Sequence, residues 1–148
     1  MGLFDAMNVS ASGLSAERVR MDTVADNLAN AQTTGGPNGP YRRKEVVLAA
    51  QDTSFAAVLN HQVGQRANDT SSPKGVRVVE VTEDPTPNRR IYDPGHPDAN
   101  ADGYVEMPNV NSVTEMVDLI AASRGYEANV TAMSAAKQMF TKTIDLLR

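Results

Sequence analysis

The sequence predicts a mainly α-helical protein, with two long terminal helices that form a coiled-coil-like pair and a small β-hairpin-containing middle region. Apolar residues recur every seven positions near both ends of the chain, a spacing typical of helices that pair along one face. All eight prolines lie between the two patterns. We therefore divide the 148-residue chain into an N-terminal axial helix (1–34), a loop-rich middle region (35–111) and a C-terminal axial helix (112–148).

The N-terminal pattern predicts a helix from Leu3 to Ala31. Its apolar residues at heptad spacing are Met7, Leu14, Met21 and Leu28. The segment from Thr33 to Pro37 ends the helix, because glycine accepts the left-handed conformation beyond a helix and proline cannot continue the hydrogen-bond ladder. Gly13 interrupts the helix interior, where glycine is unfavourable. We interpret it and the similarly placed Gly125 as points of close helix approach, with a simple flexible point in each helix as the alternative.

The C-terminal pattern predicts one helix from Ser112 to Leu147. Pro108 opposes an earlier start, and Ser112 and Glu115 have the spacing of a capping box. Two interleaved heptad series supply the apolar residues Met116, Leu119, Tyr126, Val130, Met133, Phe140, Ile144 and Leu147. These eight residues and the four of the N-terminal helix are here called the assembly seam.

The middle region contains one clear β signal. Residues 76–82 are rich in β-branched side chains, turn-forming residues follow, and Arg89–Tyr92 has a second strand-like composition. We predict a hairpin over about 76–92. Residues 41–50 are compatible with a strand or a short helix. Residues 55–59 form an apolar cluster to which we assign no secondary structure. The polar composition of residues 62–74 predicts a loop.

Composition and motifs argue against several functions. The net charge of -4 opposes nucleic-acid binding, and the short basic clusters at 42–44 and 89–90 are interpreted as solvated surface. His61 and His96 lack metal-ligand spacing, and no phosphate loop or nucleophile motif is present. We therefore predict no enzyme activity, cofactor or small-molecule substrate. No apolar run is long enough to span a membrane.

A calcium-responsive helical module is the alternative from another class. Asp98, Asn100 and Asp102 match the first half of an EF-hand loop, but Asn109 stands where the loop needs a bidentate glutamate. The competing interpretation is that these residues make tight local turns.

The two seams also predict assembly. Only seven residues are aromatic, and a lone antiparallel helix pair has little apolar surface to bury. Seams this regular are best satisfied by neighbouring chains.

Three segments resemble a known family. Residues 22–34, with Asn27, Leu28 and Asn30 at their centre, resemble the signature of flagellar basal-body rod and hook proteins. Residues 115–147 resemble the closing helix of the same axial proteins, and residues 93–111 are similar to the proximal-rod member.

The resemblance implies a structural subunit of the flagellar rod, the drive shaft that crosses the periplasm, polymerising through its terminal helices and transmitting motor torque. It implies contacts with other copies, other rod proteins, and the export gate or membrane ring. It also implies type III export without a cleaved signal peptide, in agreement with residues 1–5, which lack a basic start and an apolar block. A distal-rod or hook paralogue is the alternative within the family, which the short middle region disfavours.

Overall fold

The computed structural model describes residues 3–36, 39–51 and 75–146. The expectations for residues 55–59 and 62–74, for His61 and for Leu147 lie outside this part of the chain. Six elements follow in order: α1 (Leu3–Ala29), β1 (Lys44–Ala50), β2 (Val76–Glu83), β3 (Arg89–Tyr92), β4 (Tyr104–Met107) and α2 (Ser112–Leu146). The predicted mainly helical fold with long terminal helices and a small β-containing middle region is confirmed.

The two long helices pack against each other in antiparallel orientation. Phe4 near the start of α1 meets Phe140 near the end of α2, with ring centroids 5.7 Å apart. At the other end of the pair, Asn27 of α1 is hydrogen-bonded to Glu115 in the first turn of α2. The helices therefore lie alongside each other over most of the length of α1.

Small side chains and two glycines allow this close packing. Ala16, Ala122 and Ala136 are buried. A Cβ atom on Gly13 would lie 2.9 Å from Nδ2 of Asn129, and one on Gly125 would lie 3.3 Å from Cδ of Glu17. Each glycine thus leaves room for a polar side chain of the facing helix, which confirms the interpretation of both as close-approach points.

The helix boundaries agree with the sequence except in two details. α1 ends at Ala29, because the amides of Ala31 and Thr33 already make tighter turn bonds to Leu28 and Asn30. α2 begins at Ser112 as predicted, but the predicted capping box is wrong. Asn111 is the cap: its Oδ1 accepts a 3.0 Å hydrogen bond from the amide of Val113, and the Glu115 side chain instead turns inward.

The middle region contains two separate antiparallel strand pairs. β1 pairs with β2, from Lys44 opposite Glu83 to Ala50 opposite Val76, with a bulge between Val47 and Leu48. β3 pairs with β4, from Arg89 opposite Met107 to Tyr92 opposite Tyr104. Of the two readings open for residues 41–50, the strand is the observed one.

The predicted hairpin between 76–82 and 89–92 is wrong in its pairing, although both segments are strands. The linker contains Pro85 and Pro87, which have a fixed φ and no amide donor and so disfavour a tight hairpin turn. Asp84 also directs the chain away, because its amide donates to the carbonyl oxygen of Arg43 at 2.8 Å. Each predicted strand therefore pairs with a segment farther away in the sequence.

Candidate functional site

A buried polar network joins both helices to β1, and Asn27 is its centre. The Asn27 amide nitrogen donates to the carbonyl oxygen of Lys44 at 2.9 Å and to Glu115 Oε2 at 3.0 Å. Its Oδ1 accepts from the hydroxyl of Tyr41 at 2.9 Å and from the amide of Lys44 at 2.8 Å. These four bonds use the full capacity of an asparagine side chain. Asn27 therefore fixes the start of β1 against the helix pair.

Glu115 and Arg43 form the charged half of the network. The Glu115 side chain is fully buried, and its Oε1 accepts a 2.7 Å charge-assisted hydrogen bond from Nε of Arg43. The Arg43 guanidinium also lies 3.7 Å from the carboxylates of Asp84 and Asp118. A buried carboxylate needs such a partner, because an unpaired buried charge is strongly unfavourable.

The electrostatics fix the protonation states of two members of the network, Arg43 and Tyr41. The hydrogen bond to Glu115 is the largest cause that raises the pKa of Arg43, so the guanidinium stays charged. Burial, followed by the negative charges of Asp26, Glu115 and Glu83, raises the pKa of Tyr41. The phenol therefore keeps its proton and remains a donor to Asn27.

The three motif residues have different surroundings. Asn27 is fully buried, Leu28 is half-buried, and Asn30 makes only local bonds, donating to the carbonyl oxygen of Asp26 and accepting from the hydroxyl of Thr33. Sequence reasoning missed Arg43, which was assigned to a solvated cluster. The carboxylate at Glu115, which shares a heptad series with the small residues Ala122 and Ala136 on the side of α2 that faces α1, was the signal that a cation was needed nearby.

The assembly seam divides between half-buried and exposed positions. The half-buried residues are Met7, Leu14, Met21, Leu28, Leu119, Tyr126 and Met133. The exposed residues are Met116, Val130, Phe140 and Ile144, and Leu147 is outside the described residues. The centre of the helix interface on α2 is instead another series at heptad spacing, which consists of Glu115, Ala122, Asn129 and Ala136. Sequence reasoning missed this series because its side chains are small or polar, whereas the seam residues are large and apolar. The role of the seam in assembly stays a prediction.

Polar side chains of the segment that resembles a calcium loop, residues 98–103, make hydrogen bonds within the local turns and to Thr34. Oδ1 of Asn100 accepts from the amides of Asp102 and Tyr104, and Asp98 accepts a 2.7 Å hydrogen bond from the hydroxyl of Thr34. Within the described ranges, no three acidic or histidine side chains converge to hold a metal ion. None of the described helices combines the length and apolar character needed to cross a membrane.

Comparison with known proteins agrees with this architecture. Residues 7–35 match the family model described as "Flagella basal body rod protein", and residues 101–146 match that described as "Flagellar basal body rod FlgEFG protein C-terminal". These matches cover most of α1 and all of α2, which are the two helices that form the pair. The helical part of the chain thus has the character of a flagellar axial protein.

Relatives that align with this chain along almost their whole length show which members of the family it resembles. The flagellar basal-body rod protein FlgC of Bacillus subtilis is 49% identical over 99% of this chain and 99% of its own length. The FlgC proteins of Borreliella burgdorferi and Salmonella typhimurium are 40% and 39% identical, over 100% and 99% of this chain and over 99% and 98% of their own lengths.

The chain therefore belongs to the flagellar basal-body rod protein family, as a structural subunit of the basal body. The three relatives named above match along almost their whole length and are FlgC proteins, which favours that group over a distal-rod or hook paralogue.

Proposed function

We propose that this chain acts without catalysis in the proximal, periplasmic part of the rod, where it polymerises through its terminal helices and transmits torque. The observation that carries this proposal is the exposed edge of the seam, which consists of Met116, Val130, Phe140 and Ile144 on α2. Val130 and Ile144 are 42% and 49% exposed although they lie on a helix that already packs against α1. Apolar residues repeated along one helix edge are typical of a surface that a neighbouring chain covers.

The buried network gives the subunit the rigidity that torque transmission requires. Asn27 and Glu115 tie α1 to α2, while Arg43 and Lys44 tie both helices to β1. Because every hydrogen-bonding group of the Asn27 amide is satisfied, the network holds one arrangement of the three elements. A load applied to the middle region would therefore be passed to the helix pair.

The partners of this subunit are other copies of the chain and other rod proteins, with the export gate or the membrane ring at the base of the rod. We further propose type III export without cleavage of a signal peptide. Support comes from the family membership.

Complementation tests the proposal. A tagged copy of the chain is expressed in Bacillus subtilis that lacks its own FlgC, and basal bodies are isolated. We expect restored swimming, the tag on the proximal rod in electron micrographs, and an uncleaved N-terminal peptide by mass spectrometry. A chain that is exported but absent from basal bodies would contradict the structural role, and a shortened N-terminus would contradict the export route.

A further inference from the structure

The side of α1 that faces away from α2 is narrow and carries two charges. This outer face of α1 consists of Arg18, Asp22, Ala25 and Ala29, which are all exposed. The two alanines present little more than backbone, so another helix can approach closely there. The two charges lie four residues apart, about one helical turn.

The corresponding side of α2 is broad and apolar. Val113, Met116, Val117 and Ile120 are 67%, 46%, 60% and 55% exposed, and their spacing puts them on one stripe of the helix. Arg124 and Glu127 continue the stripe and are also exposed. These six residues are here called the outer face of α2, and only Met116 among them belongs to the predicted seam.

The charges on the two faces have no partner of their own. Across the described residues, none of Arg18, Asp22, Arg124 and Glu127 makes a side-chain ion pair or hydrogen bond. Charged side chains at the contact between the two helices, in contrast, have partners: Glu17 pairs with Arg20, and Glu115 pairs with Arg43. The free charges are therefore available to a partner molecule.

We infer that the outer face of α2 binds the outer face of α1 from a second copy of this chain, in antiparallel orientation. The inference rests on the proposed function, because it names the neighbour within the polymer. The register pairs Arg18 with Glu127, Asp22 with Arg124, Ala25 with Ile120, and Ala29 with Val117. In this register the large apolar side chains cover the alanines and both charge pairs have opposite sign.

The order of the charges along the two outer faces decides whether the two helices meet in parallel or antiparallel orientation. A parallel arrangement would place Arg18 beside Arg124 and Asp22 beside Glu127, and like charges in contact oppose association. The antiparallel arrangement also follows from the fold, since α1 and α2 are antiparallel within one copy. Copies that share one orientation therefore bring α1 of one copy antiparallel to α2 of the next. Such a head-to-tail contact uses two different surfaces, so it can repeat from subunit to subunit.

Cysteine cross-linking tests the contact, because the chain has no cysteine of its own. Two differently tagged chains, Ala25→Cys and Ile120→Cys, are co-expressed in the strain without FlgC, and isolated basal bodies are oxidised. A disulfide requires Cα atoms within about 7 Å. We expect a dimer that carries both tags. The control replaces Ile120→Cys with Ala132→Cys, since Ala132 is exposed but belongs to neither face, and this pair should give no dimer.

The outcomes separate this inference from the proposed function. If the cysteine chains enter basal bodies but no mixed dimer forms, or if Ala25→Cys becomes linked only to a different rod protein, the second-copy contact is wrong and the rod role stands. If the cysteine-free chain is itself absent from basal bodies, both proposals fail.

A charge exchange supplies the second readout. Arg18→Glu should reduce the mixed dimer by at least about two- to fivefold, because it removes one exposed ion pair and places two carboxylates opposite each other. Glu127→Arg on the chain that carries Ile120→Cys should restore it. If the two changes reduce the dimer independently, with no restoration, the proposed register is wrong.

Discussion

Asn27 and Asn30 belong to the same motif, yet the structure predicts very different effects of replacing them. Asn27→Ala removes four hydrogen bonds, and its partners include both backbone groups of Lys44. Lys44 and Tyr41 are half-buried, so water can replace some of these bonds. Counting two bonds as fully lost, at about 1.5 kcal/mol each, gives a decrease of about 3 kcal/mol in the free energy of unfolding.

Asn30→Ala is the matched control. Its side chain bonds only to the last turn of α1 and to the turn that follows, so we expect a decrease of about 0.5 kcal/mol. Urea unfolding of the two purified variants, followed by far-UV circular dichroism, gives both values from the shift in midpoint. Equal losses for the two variants would refute the view that Asn27 is the centre of a buried network.

Three further predictions concern the helix contact and the charged residues. Gly13→Leu should lower stability by about 1–3 kcal/mol in urea unfolding, because the new side chain displaces Asn129; Ala11→Leu on the exposed side should change it by less than about 0.5 kcal/mol. Arg43→Ala should cost about 3–5 kcal/mol, because Glu115 stays buried without its cation, whereas Arg43→Lys should recover part of that loss; equal values for the two would argue against the ion pair. Hydrogen bonds from Thr86 are the main cause that holds the pKa of Asp84 below its ordinary value, so its contribution is present at neutral pH and lost as the pH falls through the folded pKa. Unfolding midpoints of the wild type and Asp84→Asn should therefore differ at neutral pH and converge in acid; a constant difference would contradict this.

The helices could be predicted from the sequence because their signals are local. Heptad spacing, the prolines between the two patterns and the turn residues after α1 all act within a few residues of the element they define. The onset of α2 at Ser112 was found in this way. The cap of α2 was assigned wrongly because the sequence allows two roles for Glu115: it can cap the start of the helix, or it can be buried as the partner of a cation. Only the position of Arg43 in the fold decides between these roles.

Strand pairing and the polar network could not be predicted because both depend on distant contacts. Val76 pairs with Ala50 and Tyr92 with Tyr104. Neither pairing is indicated by the residues next to these positions in the sequence. Asn27 was recognised only through the family resemblance, without its physical role. That role depends on Lys44 and Glu115, which lie 17 and 88 residues away in the chain.

The central claim, that the exposed edge of the seam is an assembly surface, is tested most directly by Val130→Asp. Val130 is 42% exposed, so in the free chain the new carboxylate keeps access to water and the variant should still fold with a modest loss of stability; in a polymer it would be buried against a neighbour, which is unfavourable. Ala132→Asp adds the same charge at an exposed position outside the seam. Quantifying each exported variant in isolated basal bodies should show Ala132→Asp at the wild-type level and Val130→Asp absent. Val130→Asp present at the wild-type level in motile cells would contradict the account.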